Sequence, residues 1–595
     1  MSPFTRSKIS IAVLGMALAI LPTLSLAKPL AVPGRTPKHA LAVVSITEPT
    51  ELWNNFSASP MYKPTQTLFE RVLFGDGSAL ASFESQRPDI EDAVGYSLTA
   101  PDVFQEGPRG MDFYVAASSE PGKAPYTVMV INFQDEAQAR KTLELLVKEG
   151  KAASGVANGE RAETLSESKE GDQIVYSFRG LKTHLASVGS VLIISSEDEG
   201  AWAVLDGKAT TALFDTDAYR RAVGVLDPLP GQMWAFGDVT ELMNLGFAMG
   251  LIPTEASVDL SVSRKVGLLF DFQPDHLKVT EYVANTEMTG VERAIAAATR
   301  PDTTGFKAVG FLPSDTMLLT TSNNFEGPSL FTAMREQLVS SGAGQFTDAD
   351  INKGLATADS MVGFSIENDF IGSLGSETAF GVTDLNIGTP DVTGIPSFSG
   401  DFLFASSLSD AARMDVVMRQ FEVEINKQAA MFLPPAESDG KTPPAPPSVF
   451  SETTHNETVV HTLDLAKLTP IAVGFAPSYG ITSDGFIVFA LKKETVLAAL
   501  DRKKAGGAEV FKSSSMMNAD RLLSPNRNEM QILNFNSAVN VIQSITGLIP
   551  ASEVSVTQRT MLPLVLDVLR SAGTLYTAGT YTTEGVTKEF VFLMR

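Results

Sequence analysis

The chain has no cysteine among its 595 residues, only five histidines and three tryptophans, and far fewer basic than acidic side chains. Each shortage excludes something. Without cysteine there are no disulfides, no thiol nucleophile, no zinc–thiolate site and no lipid-modified cysteine anchor. Stability then rests on core burial. With 46 Lys and Arg against 69 Asp and Glu, the formal net charge is −23. Such a surface repels nucleic acid and anionic headgroups at long range, so nucleic-acid binding is disfavoured. His39, His184, His276, His455 and His461 lie in no HExxH and have no histidine four residues away. His455 and His461 are six apart, a poor metal spacing. No GxSxG elbow occurs; the nearest stretch, Leu185-Ala186-Ser187-Val188-Gly189, lacks the first glycine that such a strained turn needs. There is no GxxxxGK[ST] loop and no GxGxxG after a first strand, so no nucleotide cofactor is expected. Trp53, Trp202 and Trp234 do not cluster as a carbohydrate platform would. These patterns assign no catalytic residue and no cofactor.

Long apolar runs are equally scarce. The one extended run opens the chain: Arg6 and Lys8, an apolar stretch from Ile9 to Leu21, Pro22, then Ser25-Leu26-Ala27 before Lys28. Basic, apolar and small-x-small parts in that order form a secretory signal peptide. The run is short of the roughly 20 residues that span a bilayer, so cleavage after Ala27 is expected rather than anchoring. Leu245 to Ile252 is shorter still and carries glycines. A periplasmic or extracellular protein with no transmembrane segment after cleavage follows. Asn55-Phe56-Ser57 and Asn456-Glu457-Thr458 match the N-glycosylation pattern, which arises by chance in a chain this long.

What is present is globular: 44% hydrophobic and 19% charged residues. Residues 28–38 form a proline-rich leader, and the folded part is expected to begin near His39. Several stretches then recur in order. Asn54-Asn55-Phe56 returns as Asn323-Asn324-Phe325, and Asp135-x-Ala137 as Asp410-x-Ala412. SVLIISSEDEGAWAVLDGK (190–208) aligns without gaps on GFIVFALKKETVLAALDRK (485–503). GLIP occurs at 250–253 and 547–550, and Glu281-Tyr282-Val283 matches Glu589-Phe590-Val591. The offsets, 269, 275, 295, 297 and 308, only increase, as collinear copies would show if the second gained insertions. The expectation is two diverged copies of one module, 39–300 and 304–595, too long for solenoid repeats. A proline-rich loop, 433–448, interrupts the second.

Each copy mixes element types. Ala139, Leu143, Leu146 and Val147 share a helical face, as do Met414, Val417, Met418, Phe421 and Ile425. Asp135 and Ser409-Asp410 stand where N-caps belong. Strands are expected at 126–131, 174–178, 191–195, 233–236 and 266–272, then at 402–405, 459–463, 471–476, 485–490, 530–533 and 575–581. Short links between successive strands argue for an α+β fold of mostly antiparallel sheets with helices packed on one face.

LPSDTMLLTTSNNF (312–325), GSETAFGV (375–382) and DGFIVFALKKETVLAALD (484–501) resemble the family known as domain of unknown function 3352. The first half carries weaker versions, VGYSLTAP (94–101) and SVLIISSEDEGAWAVLD (190–206). The resemblance covers much of 39–595 and is best in the second half. It implies an exported bacterial protein and supplies no catalytic residues.

Two segments have chemistry to weigh. Glu197-Asp198-Glu199 reads as a site or as an acidic turn ahead of a helix; its counterpart Lys492-Lys493-Glu494 inverts the charge. In 347–354, Asp348, Asp350 and Asn352 alternate, and Asp359 falls at loop position twelve, so oxygen ligands stand where calcium takes them. Lys353, however, occupies the position that loop gives to glycine, and Thr347 with acids behind it also reads as a helix start. The leading expectation is an exported, non-catalytic envelope protein that binds an unknown ligand or protein, or serves as a scaffold. A carboxylate- or serine-dependent hydrolase and a calcium-supported surface interaction protein are the alternatives.

Overall fold

The computed structural model describes residues 35–37, 39–74, 108–120, 123, 125–155, 165–178, 182–207, 213–229, 231–248, 264–299, 306–323, 327–341, 347–390, 396–430, 448–467, 475–548 and 556–594. The expected signal peptide, most of the expected leader, residues 433–447 of the proline-rich loop and the first GLIP lie outside the described residues. Two compact units emerge. One comprises the chain up to Glu287 with 560–572 and 592–595; the other comprises 288–559 with 573–591.

In the first unit, β1 (Ala40–Thr47), β2 (Gly110–Ala116), β3 (Tyr126–Asn132), β4 (Ser166–Glu170), β5 (Gln173–Phe178) and β6 (Thr183–Val188) are joined by β7 (Val191–Ser195), β8 (Gln232–Asp238), β9 (Lys265–Phe272) and β10 (His276–Ala284). They pair antiparallel in the order β4-β5-β6-β7-β3-β2-β1-β8-β9-β10. The helices are α1 (Pro49–Ala58), α2 (Tyr62–Phe74), α3 (Glu136–Gly155), α4 (Asp198–Asp206), α5 (Asp217–Leu226) and α6 (Val239–Ala248).

Helices cover both faces of this sheet, not one. In β3 the run Val128-Met129-Val130-Ile131 is buried throughout. Alternation sends Val128 and Val130 to one side and Met129 and Ile131 to the other. A strand apolar on both faces needs cover on both. Ala201, Val204 and Leu205 of α4 and Ala218, Tyr219 and Ala222 of α5 pack with Val128, Val130 and Trp234. Leu52 of α1 and Ala139, Leu143 and Val147 of α3 pack with Met111, Met129 and Ile131. The folded part also begins earlier than His39: Arg35 Nη1 donates to the carbonyls of Val204 (3.0 Å) and Leu205 (2.7 Å). Those are orphan acceptors in the last turn of α4, where a cation is favoured.

The second unit opens with α7 (Gly290–Ala298), followed by β11 (Leu318–Ser322), α8 (Gly327–Ser341), α9 (Asp348–Val362), β12 (Leu374–Pro390) and β13 (Pro396–Leu408). Next come α10 (Ala411–Ala429), β14 (Phe450–His455), β15 (Thr458–Leu463), β16 (Ser478–Ile481) and β17 (Phe486–Ala490). α11 (Lys493–Lys504), α12 (Ser514–Leu522), β18 (Glu529–Asn534), α13 (Phe535–Leu548), β19 (Thr574–Thr582) and β20 (Gly585–Leu593) follow. Strand order is β14-β15-β16-β17-β13-β12-β11-β18-β19-β20. The units divide at 287/288 rather than at 300–304, because α7 packs on α8 and β19 of the second unit. Residues 471–474 of the strand expected at 471–476 lie outside the described residues, and a strand runs over Ser478–Ile481.

Candidate functional site

α10 starts where Asp410 accepts from the Arg413 N–H at 2.9 Å. Met414 and Val417 on its inner face are buried. Glu422, past them on the same helix, reaches the sheet. There the registers set Glu452 opposite His461 and His461 opposite Tyr479. The His461 and Tyr479 rings stack with centroids 4.8 Å apart and planes 7° from parallel. Tyr479 Oη donates to Glu422 Oε1 at 2.9 Å. His461 Nδ1 lies 2.8 Å from the same oxygen and 3.9 Å from Glu452 Oε1. Its approach is oblique to the ring N–H, so the His461–Glu422 contact is one of charge more than an aligned hydrogen bond. The side chains of His461 and Glu422 are only 7% and 15% exposed. Arg419 Nε pairs with Asp415 at 2.8 Å on the outer flank of α10.

The electrostatics follow from this packing. The Glu422 contact raises the His461 pKa above the ordinary imidazole value, against burial, which lowers it. Burial, then the Glu422 charge, pushes the Tyr479 phenol up. The contact thus favours the charged form of the imidazole and the neutral form of the phenol, and one oxygen, Glu422 Oε1, serves both.

A second polar group lies under β18–β20. Tyr581 Oη donates to Glu529 Oε1 at 3.1 Å, and Lys588 Nζ sits 3.1 Å from Glu292 Oε1. Glu292 is itself the partner of Thr289 in a capping box that opens α7. Burial raises the Glu529 pKa; the Tyr581 hydrogen bond and Lys588 oppose it. Glu529 crosses Gly579, where any Cβ would collide with its carboxylate.

In the first unit, Ser177 Oγ and His184 Nδ1 are 2.9 Å apart, superficially a nucleophile and base. Both stand in mid-ladder, directly opposed across β5 and β6. Burial lowers the His184 pKa. Thr462 and Ser478, opposed across β15 and β16, make the same kind of bond at 3.0 Å. Such pairs tie neighbouring strands together, and neither serine is raised on a turn toward a substrate. Ser187 likewise sits within β6, and Gly189 (φ +55°) turns the chain into β7 rather than into a helix.

The residues singled out from sequence are dispersed. Asp350 accepts from the Thr347 N–H at 2.9 Å while Thr347 Oγ1 accepts from the Asp350 N–H at 3.2 Å, a capping box at the start of α9. Asp348 pairs with Arg335 at 2.8 Å, Asp359 accepts from the Ile366 N–H at 2.8 Å, and Asn352 is exposed on the helix. A rise of 1.5 Å per residue separates Asp348 from Asp359 by about 16 Å, too far for one ion. Among the described residues no group of three His, Asp or Glu is placed to hold a metal. Glu197-Asp198-Glu199 opens α4. Glu199 takes hydrogen bonds from Ser118 Oγ (3.0 Å) and the Ser119 N–H (2.9 Å), which outweigh burial and lower its pKa.

Sequence reasoning missed Glu422 and Glu529 and treated His461 as an ordinary histidine. One weak sign existed: His461 follows Val459 and Val460 within a short strand, where it is buried. Among the described residues no helix is long and apolar enough to cross a membrane. Comparison with protein-family models, curated proteins and solved structures finds no match to this chain.

Proposed function

We propose that this is an exported bacterial envelope protein, made of two diverged copies of one module, that acts by binding or scaffolding. Its working chemistry would lie in the second copy. The observation that carries the reading is a mismatch between like positions. The two strand orders correspond strand for strand: β4-β5-β6-β7-β3-β2-β1-β8-β9-β10 and β14-β15-β16-β17-β13-β12-β11-β18-β19-β20. Registers support the pairing of copies. Val128 faces Ser195 as Leu403 faces Ala490. Those pairs lie 275 and 295 positions apart, the offsets of the Asp135/Asp410 and 190–208/485–503 matches. Asp135 and Asp410 both cap the helix after that strand, at 2.9 Å each. One match does not belong: Asn54 to Phe56 lie within α1, whereas Asn323 follows β11.

On that correspondence, Glu422, His461 and Tyr479 stand where the first unit has Val147, Tyr176 and Leu185, which share an apolar cluster. A buried ion cluster is weak support for stability, since apolar residues of like size serve as well or better. The first unit does without it, which favours a role in function. Resemblance to the exported family named above, and the signal peptide, support the envelope.

The test is mass spectrometry of the native protein taken from its own envelope. A mature chain starting at Lys28, with a recurrent ligand or partner attached, is expected. Turnover in an esterase, glycosidase or peptidase panel, lost in Glu422→Gln or Glu529→Gln, would establish the hydrolase instead.

A further inference from the structure

We propose that Glu422, His461 and Tyr479 form a pH-operated latch: protonated His461 holds α10 against the sheet, and loss of that proton loosens the helix. Geometry makes the case. His461 is stacked on Tyr479 and faces Glu422 at 2.8 Å, and Glu422 belongs to the helix while the other two belong to the sheet. The single oxygen Glu422 Oε1 therefore joins the two layers through both groups. Every charged group facing the imidazole has a known sign. α10 presents Glu422 and Arg419, the latter paired with Asp415 at 2.8 Å; β14 presents Glu452 at 3.9 Å; β16 presents the phenol of Tyr479. α11, on the other side of the sheet, spends Lys493 on Thr453 and Asp501 on His455. Two carboxylates, Glu422 and Glu452, against one guanidinium favour imidazolium, and removing its proton leaves Glu422 buried with only the Tyr479 donor.

The sign is fixed by linkage. A histidine whose folded-state pKa is raised contributes stability fully below its unfolded value, and that contribution is lost as pH rises through the folded value. The window therefore opens near the ordinary imidazole range, about 6.5, and extends upward. The face of α3 supplies an internal control, because Leu143 and Val147 dock it on a cluster of aliphatic and aromatic side chains.

Hydrogen–deuterium exchange on the full chain, corrected for intrinsic rates, tests the latch between about pH 6 and pH 9. Protection of 411–429 should fall severalfold as pH rises through that window, while that of 136–155 holds. His461→Phe should abolish the difference. Equal profiles for the two helices, or a His461→Phe variant that keeps the wild-type profile, would overturn the proposal. If His461→Phe does not fold, histidine NMR of the unaltered chain and of Glu422→Gln decides. One imidazole should titrate above the ordinary range and return toward it in the variant. Its failure to move would also sink the latch.

Discussion

The helix–sheet junction of α3 in the first unit and that of α10 in the second are closed by opposite means. Val147, Tyr176 and Leu185 close the first with apolar surface. Glu422, His461 and Tyr479 close the second with charge and a stacked ring pair. Elsewhere the contrast reverses. Asp112 of β2, 0% exposed, takes a 2.5 Å hydrogen bond from Ser45 and a 3.4 Å one from Tyr114. Asp112 is registered against Ser45 and Val130; in the second unit the residue between the matching strands, against Thr321 and Ala405, is Ala379. Each sheet therefore tolerates a buried carboxylate at one place and dispenses with it at the other. The strand order demands neither.

The sharpest way to break this comparison is to move a carboxylate without its partners. Ala379→Asp puts an acid into the second sheet beside Thr321 alone. An unpaired buried charge should cost roughly 4 kcal/mol or more, enough to abolish the second calorimetric transition while the first persists. Unchanged melting would mean that the site is wetter than its burial implies.

The next largest effect separates one partner from all three. Glu422→Val alone should destabilise the second unit by about 3 kcal/mol, because His461 and Tyr479 lose their common acceptor. Glu422→Val with His461→Tyr and Tyr479→Leu, which installs the first unit's residues, should be neutral or stabilising by about 1–4 kcal/mol. Denaturant melts of the single and triple variants check this. A triple variant weaker than the single one would show that the two junctions are not interchangeable.

These effects bear on what the sequence discloses. Local pattern revealed the strands at 191–195 and 486–490 as short apolar runs, buried almost throughout, and the Asp-capped helices by their apolar faces. The continuous apolar run 128–131 held the clue to cover on both faces, which composition alone obscured. The candidate site was nearly illegible. Glu422 and His461 are 39 positions apart and meet only because the β15–β16 register and the roll of α10 coincide. The D-x-D-x-N pattern, by contrast, was visible, and one of its acids, Asp350, closes a capping box with Thr347 three residues earlier.

A smaller effect concerns Glu529, whose pKa burial raises. Such a carboxyl contributes its stability below the unfolded carboxylate range and loses it as pH rises through the folded value. Glu529→Gln keeps an acceptor for Tyr581 without the charge. It should raise the second transition at neutral pH, and the gain should close as pH falls toward 4. A gain independent of pH would place its cause in packing rather than in ionisation. The equivalent position of the first unit, Met233, has no charge to titrate, so the first transition should not respond.

The smallest effect separates the calcium and capping accounts of α9. Thr347 and Asp350 satisfy each other's backbone donors, so Thr347→Ala should cost about 1 kcal/mol, the usual loss for an N-cap. Arg335 holds Asp348 from another helix, so Asp348→Ala should cost less, within the range of an exposed ion pair, about 0.2–1 kcal/mol. Neither loss should depend on calcium, because each acid is already engaged and α9 keeps Asp359 about 16 Å from Asp348. Thermal melts with and without a chelator measure this directly. If chelation lowers the melting temperature by several degrees and Asp348→Ala removes that drop, the acids bind an ion together. The capping geometry would then be the apo arrangement of a site that rebuilds when filled.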